Sequence, residues 1–398
     1  MGVYLSAPNI DINSEVGHGY GLKYAVGEIQ GWRKNMEDAH ITCTDLAAID
    51  KSMNDDNISV FGVFDGHGGK EVAKFCQVYF LRELIHLEDF YERRFGDALK
   101  QCFHRMDEML EDENFNYQLQ QFRKIPNPSD KKAGGESTED EQRESNDFGD
   151  TDDSGDCSGA STGGGKKIPI SEAMALFQKL LEQQKSANKT EGNLLAPLSK
   201  EGNPSSAVRA AEGDGGADKM VLTEPADSVM ADLNEPHNGS MICELPDHRV
   251  AAGCTACVAL KHGSDLFVAN AGDSRAVLCR GDGSVHALSF DHKPNDSVEL
   301  NRIVAAGGFV NHVGRVNGNL NLSRAIGDLK YKQSHHLTRP EQIISGDPDV
   351  TVTALLPDDK FFLIACDGIW DCFSNQEAVD FVRTRIEAGK ELSAILGD

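Results

Sequence analysis

Two apolar runs constrain this chain more than any other feature. ISVFGVF at 58–64 and FFLIA at 361–365 carry no charge, and each runs within two residues into Asp-Gly, at Asp65-Gly66 and Asp367-Gly368. A strand with one wet face alternates apolar and polar residues, so an unbroken run belongs to a strand covered on both faces. Residues 22–30 and 39–46 also read as strands, and DLFVANAGDSRAVLCR reads as strand, turn, strand. Residues 70–87 predict a helix with Val72, Phe75, Cys76, Tyr79 and Phe80 on one side. SVELNRIVAAGG predicts another that stops on glycine.

At 398 residues the chain has room for two or three ordinary domains, or for one large domain with an insertion. Charge favours the second. Ten acidic residues and one basic residue, Arg143, fall between Glu136 and Asp156 among Ser, Gly and Thr. A second poor segment runs from about 186 to 240. Neither holds enough apolar surface to offset ordering entropy, so a disordered acidic insertion is expected over about 112–240. One amphipathic island, IPISEAMALFQKLLEQQK, predicts a helix near 170–185 that packs on the body or docks a partner. The expected divisions are a tail at 1–21, a first globular part at 22–111, the insertion, and a second globular part at 241–398.

The net charge of −25 disfavours nucleic acid as a partner, while the acidic stretch would attract basic proteins. No apolar run is long enough to span a bilayer, and MGVYLSAPNIDINSE has no signal-peptide pattern. The ten cysteines are therefore read as reduced thiols of a cytoplasmic or nuclear protein, with no redox or zinc role expected for Cys254 and Cys257. Met1-Gly2-x-x-x-Ser6 fits an N-myristoylation signal, which alone gives only weak, reversible membrane association.

The chemistry gathers at strand ends. Asp65 and Asp367 each follow a buried strand, and Asp273 sits where NAGDSR opens into a turn. Neighbouring strands lie about 4.8 Å apart, so such carboxylates can converge. Converging carboxylates repel unless a hard cation neutralises them, and Mg²⁺ or Mn²⁺ suits oxygen ligands. Arg33 precedes a further acid pair, Glu37-Asp38, and His67 follows Asp65 closely. Two ions about 3.5–4 Å apart can hold a hydroxide in line with phosphorus, an arginine can grip phosphate oxygens, and a histidine can protonate the departing alkoxide.

These segments closely resemble the metal-dependent Ser/Thr protein phosphatases of the 2C (PPM) type. VFGVFDGHG, WRKNMEDAH, GCTACV, NAGDSRAV, DHKPNDSVELNRI, GGFV, NLSRAIGD and IACDGIWD follow in family order over about 20–110 and 245–390. MGVYLSAPN and the acidic insertion look most like the gamma isoform subgroup. The resemblance implies an α+β four-layer sandwich, two central antiparallel β-sheets flanked by helices. It implies hydrolysis of phosphoserine and phosphothreonine in proteins, by a monomer, with two Mg²⁺ or Mn²⁺ ions and a weaker third. Asp65 would bridge the two ions, the Gly66 carbonyl would bind one, Asp367 the second, and Glu37 would act mainly through water. Asp273 and Asp371 resemble the ligands of the third ion, Arg33 the phosphate clamp and His67 the general acid.

The family pattern also carries an Asp-Asn pair beyond the IACDGIWD segment, and no such pair follows Trp370 here. The expectation is weaker metal binding, or a chain cut short. A phosphatase-like scaffold that hydrolyses poorly is the alternative, and a metal-dependent nuclease is disfavoured by the charge.

Overall fold

The computed structural model describes residues 4–50, 53, 57–127 and 248–398, which belong to one compact unit built from both sides of the insertion. The acidic stretch, the island near 170–185 and Gly2 lie outside the described residues.

The apolar runs form strands where expected. A five-stranded antiparallel sheet has the order β12-β8-β7-β4-β3, with β3 Ala39–Cys43, β4 Ile58–Phe64, β7 Ala256–His262, β8 Asp265–Ala271 and β12 Asp349–Ala354. A three-stranded antiparallel sheet pairs β9 Arg275–Cys279 with β10 Val285–Ala287 on one side and β13 Phe361–Ala365 on the other. Cys257, Ala259, Leu266 and Val268 from the first sheet meet Ala276, Leu278, Phe362 and Ile364 from the second, forming a dry layer between them. β4 is thus buried on both faces, which its continuous apolar run demands.

Helices close the outer faces. α1 Glu71–Leu84, the short α2 Glu88–Tyr91, α3 Phe95–Glu111 and α4 Asn116–Arg123 lie on the five-stranded side. There Phe80 packs edge-on against Phe103 and contacts Phe64 of β4, while Phe95 meets Phe267 of β8. α5 Ser297–Ala305 belongs to a separate cluster in which Ile303 meets Val316, Ala325 and Ile344. On the far side, α6 Asp367–Trp370 and α7 Asn375–Glu387 set Trp370, Ala378 and Val379 against Val277 and Cys279 of β9. Ser374 and Glu377 form a capping box that starts α7. A last turn, α8, spans Leu392–Ile395. The layers run helix, sheet, sheet, helix, so the α+β four-layer expectation holds.

Two expected boundaries need correction. Most of the stretch expected as a tail is a strand: β1 Tyr4–Gly19 pairs antiparallel with β2 Leu22–Arg33. Polar cross-strand bonds hold it, Tyr24 Oη donating to Glu15 at 2.7 Å and Asn13 to Glu28 at 3.2 Å. The first globular part also runs past 111. Asp112 accepts from the Asn114 N–H, and α4 follows, with Leu119 and Phe122 buried.

The C-x-x-C thiols have separate surroundings, Cys254 lying 3.9 Å from Cys76 and Cys257 4.0 Å from Ser289 Oγ. All the described cysteines are free thiols. Among the described residues no helix is long and apolar enough to cross a membrane.

Candidate active site

Strand ends deliver the site. Asp65 leaves β4, and the chain then turns into a two-residue strand, β5 Gly66–His67, which pairs with β6 Gly253–Cys254. The Asp65 carbonyl accepts from the Thr255 N–H at 2.9 Å, which ties this turn to the entrance of β7. Asp273 follows β8 by one glycine and is only 2% exposed. Asp367 opens α6 at the end of β13. Asp38 stands just before β3, whose Ala39 is paired with Phe64, so it faces Asp65 across the ladder.

These carboxylates feel one another. Burial, then Asp38, Asp367 and Asp273, push Asp65 far above the usual carboxylate range. Burial, Asp273 and Asp371 raise Asp367 as well, while Lys293 pulls the other way. Asp38 is raised by burial and by Glu28, against Lys74 and the Gly66 N–H that it accepts. The Lys293 ammonium donates to Asp273 Oδ2 at 2.7 Å. Among the described residues no three His, Cys, Asp or Glu side chains close into a cage for a single ion. What the chain supplies instead is a set of buried and half-buried, mutually repelling carboxylate oxygens. That donor chemistry fits hard divalent cations and little else.

Residues 22–131 and 207–396 match the family described as protein phosphatase 2C. The chain belongs to that family. It is 36% identical over 395 residues to probable protein phosphatase 2C 11 of Oryza sativa subsp. japonica, covering 99% of this chain and 83% of the relative. Probable protein phosphatase 2C 60 of Arabidopsis thaliana is 35% identical over 395 residues, covering 99% and 84%. Protein phosphatase 2C 1 of Paramecium tetraurelia is 34% identical over 386 residues, covering 97% and 85%.

In this phosphatase 2C chain the structure brings Asp65, Gly66, His67, Asp273 and Asp367 into one neighbourhood. Glu37 is half-buried beside them and raises the His67 pKa together with Asp328. Asp371 follows α6, exposed, with its N–H on the Asp367 carbonyl at 2.7 Å. Arg33 ends β2 with an exposed side chain that makes no ion pair among the described residues. A cleft of about 300 Å³ opens beside Glu37, lined also by Asn35, Gly69, Glu71, Arg123 and Asn127.

Sequence reasoning assigned no role to Asp38, Lys293 or Asp328. Asp38 carries the same signal as Asp65, an acid at the edge of a buried strand, but at the strand's entry. Lys293 and Asp328 lie inside the DHKP and AIGD segments, and only the fold shows which acid or histidine each one meets.

Gly66 is required by contact rather than conformation. A Cβ there would lie 2.2 Å from the Glu37 carbonyl oxygen, a backbone atom with nowhere to go. Gly66→Ala should therefore cost about 1–3 kcal/mol of stability and spread the Glu37-Asp38 and Asp65 segments. A thermal melt alongside divalent-dependent turnover checks this; wild-type values for both would show that the segments can part freely.

Proposed function

We propose that the chain is a Mg²⁺- or Mn²⁺-dependent protein phosphatase acting on phosphoserine and phosphothreonine. The observation that carries the reading is the group of carboxylates, buried Asp273 with half-buried Asp38, Asp65 and Asp367, set at strand ends next to a histidine with a fixed partner. Asp65, the Gly66 carbonyl, Asp367 and, through water, Glu37 would hold two ions, with Asp273 and Asp371 for a weaker third. Bound ions would activate water and neutralise charge on the phosphoryl oxygens.

The chain's own residues do the rest. Arg33 is exposed and makes no ion pair among the described residues, so it can swing a bidentate donor onto the substrate phosphate. His67 holds a proton for the leaving serine or threonine oxygen. Burial disfavours its charged form, but Asp328, Glu37 and Asp273 outweigh that and raise its pKa. The cleft beside Glu37 is lined mostly by polar and charged residues, suited to polypeptide flanking the phosphoresidue.

The test is phosphate release from a phosphoserine peptide. Release should need Mn²⁺ or Mg²⁺, stop on chelation, and vanish in Asp65→Asn. Release that persists under chelation would sink the reading, and a folded chain inert with both ions would favour the scaffold alternative.

A further inference from the structure

Building on the phosphatase reading, we propose that Asp328 is the positioning residue of the general acid. Its carboxylate holds His67 with Nε2–H committed to Oδ2, which leaves Nδ1 as the nitrogen that delivers the proton. The two side chains meet at 2.6 Å across 261 residues of sequence. Asp328 is 3% exposed, against 25% for His67, and His67 is its one ion-pair partner among the described residues. A buried carboxylate with a single histidine partner is costly unless the pair is needed. Among the described residues His67 Nδ1 makes no hydrogen bond.

The fold spends three devices on this contact. First, His67 of β5 and Gly327 of a two-residue strand, β11 Ile326–Gly327, both pair with Gly253 of β6. A Cβ at Gly253 would lie 2.4 Å from Asp328 Oδ2 and 2.7 Å from His67 Nε2, so the bare backbone makes room for the bond. Second, Asp328 adopts a left-handed φ of 51°, which non-glycine residues avoid. Its N–H donates to the Ala252 carbonyl at 3.0 Å, and its carbonyl accepts from the Tyr331 N–H at 2.9 Å. Third, the preceding Gly327 N–H donates to Asp107 at 2.8 Å, and Lys332 donates to the same carboxylate at 2.6 Å. Asp107 thus takes the nearby ammonium, and the charge of Asp328 remains for the imidazole.

The proton step balances simply. Attacking water forms the new bond to phosphorus as the ester P–O bond breaks, with its electron pair on the serine oxygen. That oxygen takes the Nδ1 proton. The proton lost by water passes to solvent, from which His67 is recharged. An anionic Asp328 keeps the ring in one orientation and one tautomer throughout.

The test compares Asp328→Asn with wild type on two Mn²⁺-supported reactions, a phosphoserine peptide and p-nitrophenyl phosphate. Asparagine keeps the shape and tolerates the left-handed backbone, so half-saturation by Mn²⁺ should stay put. Turnover of the peptide should fall about 10- to 100-fold with little change in KM, part of the roughly 10²–10⁴ that a positioned acid supplies. The aryl ester, whose leaving group needs no proton, should lose about threefold or less. In a His67→Gln background, Asp328→Asn should cost nothing further, since it acts through the histidine. Equal losses on both esters, or losses that multiply with His67→Gln, would overturn the assignment. A wild-type chain inert on both esters with Mn²⁺ would overturn the phosphatase reading, and this assignment with it.

Discussion

Asp65→Asn is expected to raise the melting temperature of the metal-free protein while abolishing divalent-dependent hydrolysis. Asp65 is half-buried among Asp38, Asp367 and Asp273, and all three raise its pKa on top of burial. Its folded pKa stands above its unfolded one, near 3.9. The sign follows: the folded state binds the proton more tightly, so the protein is most stable below about pH 4 as far as this group is concerned. Stability then falls as pH rises toward the folded pKa. At neutral pH the folded state must keep a proton on Asp65 that the unfolded chain gives up; an amide carries no such cost, and even 1 kcal/mol of relief shifts the melt by about 2–4 °C in a body of this size. Melting curves in chelator at pH 5 and pH 8 decide it. The gain should be small at pH 5 and larger at pH 8; a variant less stable than wild type at pH 8 would show that Asp65 is held by attraction.

The strand-end acids were legible because an acid on an apolar run stands out in one dimension. Asp65 and Asp367 are marked by ISVFGVF and FFLIA, and both strands lie where those runs place them. Asp38 opens a strand, so no apolar run leads to it. The His67–Asp328 contact spans 261 residues and joins a two-residue strand to the residue just past another, too short for any periodicity. YLSAPNIDINSEVGHG reads as a tail because it is mostly polar, and a hairpin held by Tyr24–Glu15 and Asn13–Glu28 bonds has no apolar signature. Likewise the sequence near 112 looked like the start of the acidic insertion, whereas α4 buries just Leu119 and Phe122.

Other segments that resemble the family's motifs work as clamps rather than chemistry. Arg275 of NAGDSRAV makes a bidentate pair with Asp291 and stacks 5.2 Å above Trp370. Asp349 accepts from Arg324 at 2.8 Å, and burial is outweighed there by His292 and Arg324, which hold its carboxyl low. Such pairs join segments distant in sequence, so the resemblance could mark them but could not say what each one holds.

Glu299→Gln should be strongly destabilising. Glu299 lies on α5 with its side chain 3% exposed, and it accepts from Arg302 at 2.6 Å, Arg324 at 2.6 and 3.0 Å, and Ser323 at 2.7 Å. Burial alone would raise its pKa, but Arg324, Arg302 and Ser323 outweigh it and hold the carboxyl at about 2. An amide keeps the volume and one acceptor while turning an NH₂ toward guanidinium donors. Among the described residues Arg302 would then lose its ion-pair partner, and Arg324 would keep only Asp349, whose side chain is 63% exposed. Removing one member of a buried ion pair costs about 3–5 kcal/mol, a large share of the about 5–15 kcal/mol that holds a domain together. Glu377→Gln, in the exposed capping box of α7, is the control and should cost about 1 kcal/mol or less. Because the folded pKa of Glu299 is depressed, its stabilisation is complete above the unfolded value near 4.3 and is lost as pH falls through about 2. Urea melts at pH 7 and pH 3 should therefore show the wild-type advantage over Glu299→Gln shrinking with acid; an equal gap at both would mean that the lost shape, not the lost charge, is what Arg302 and Arg324 require.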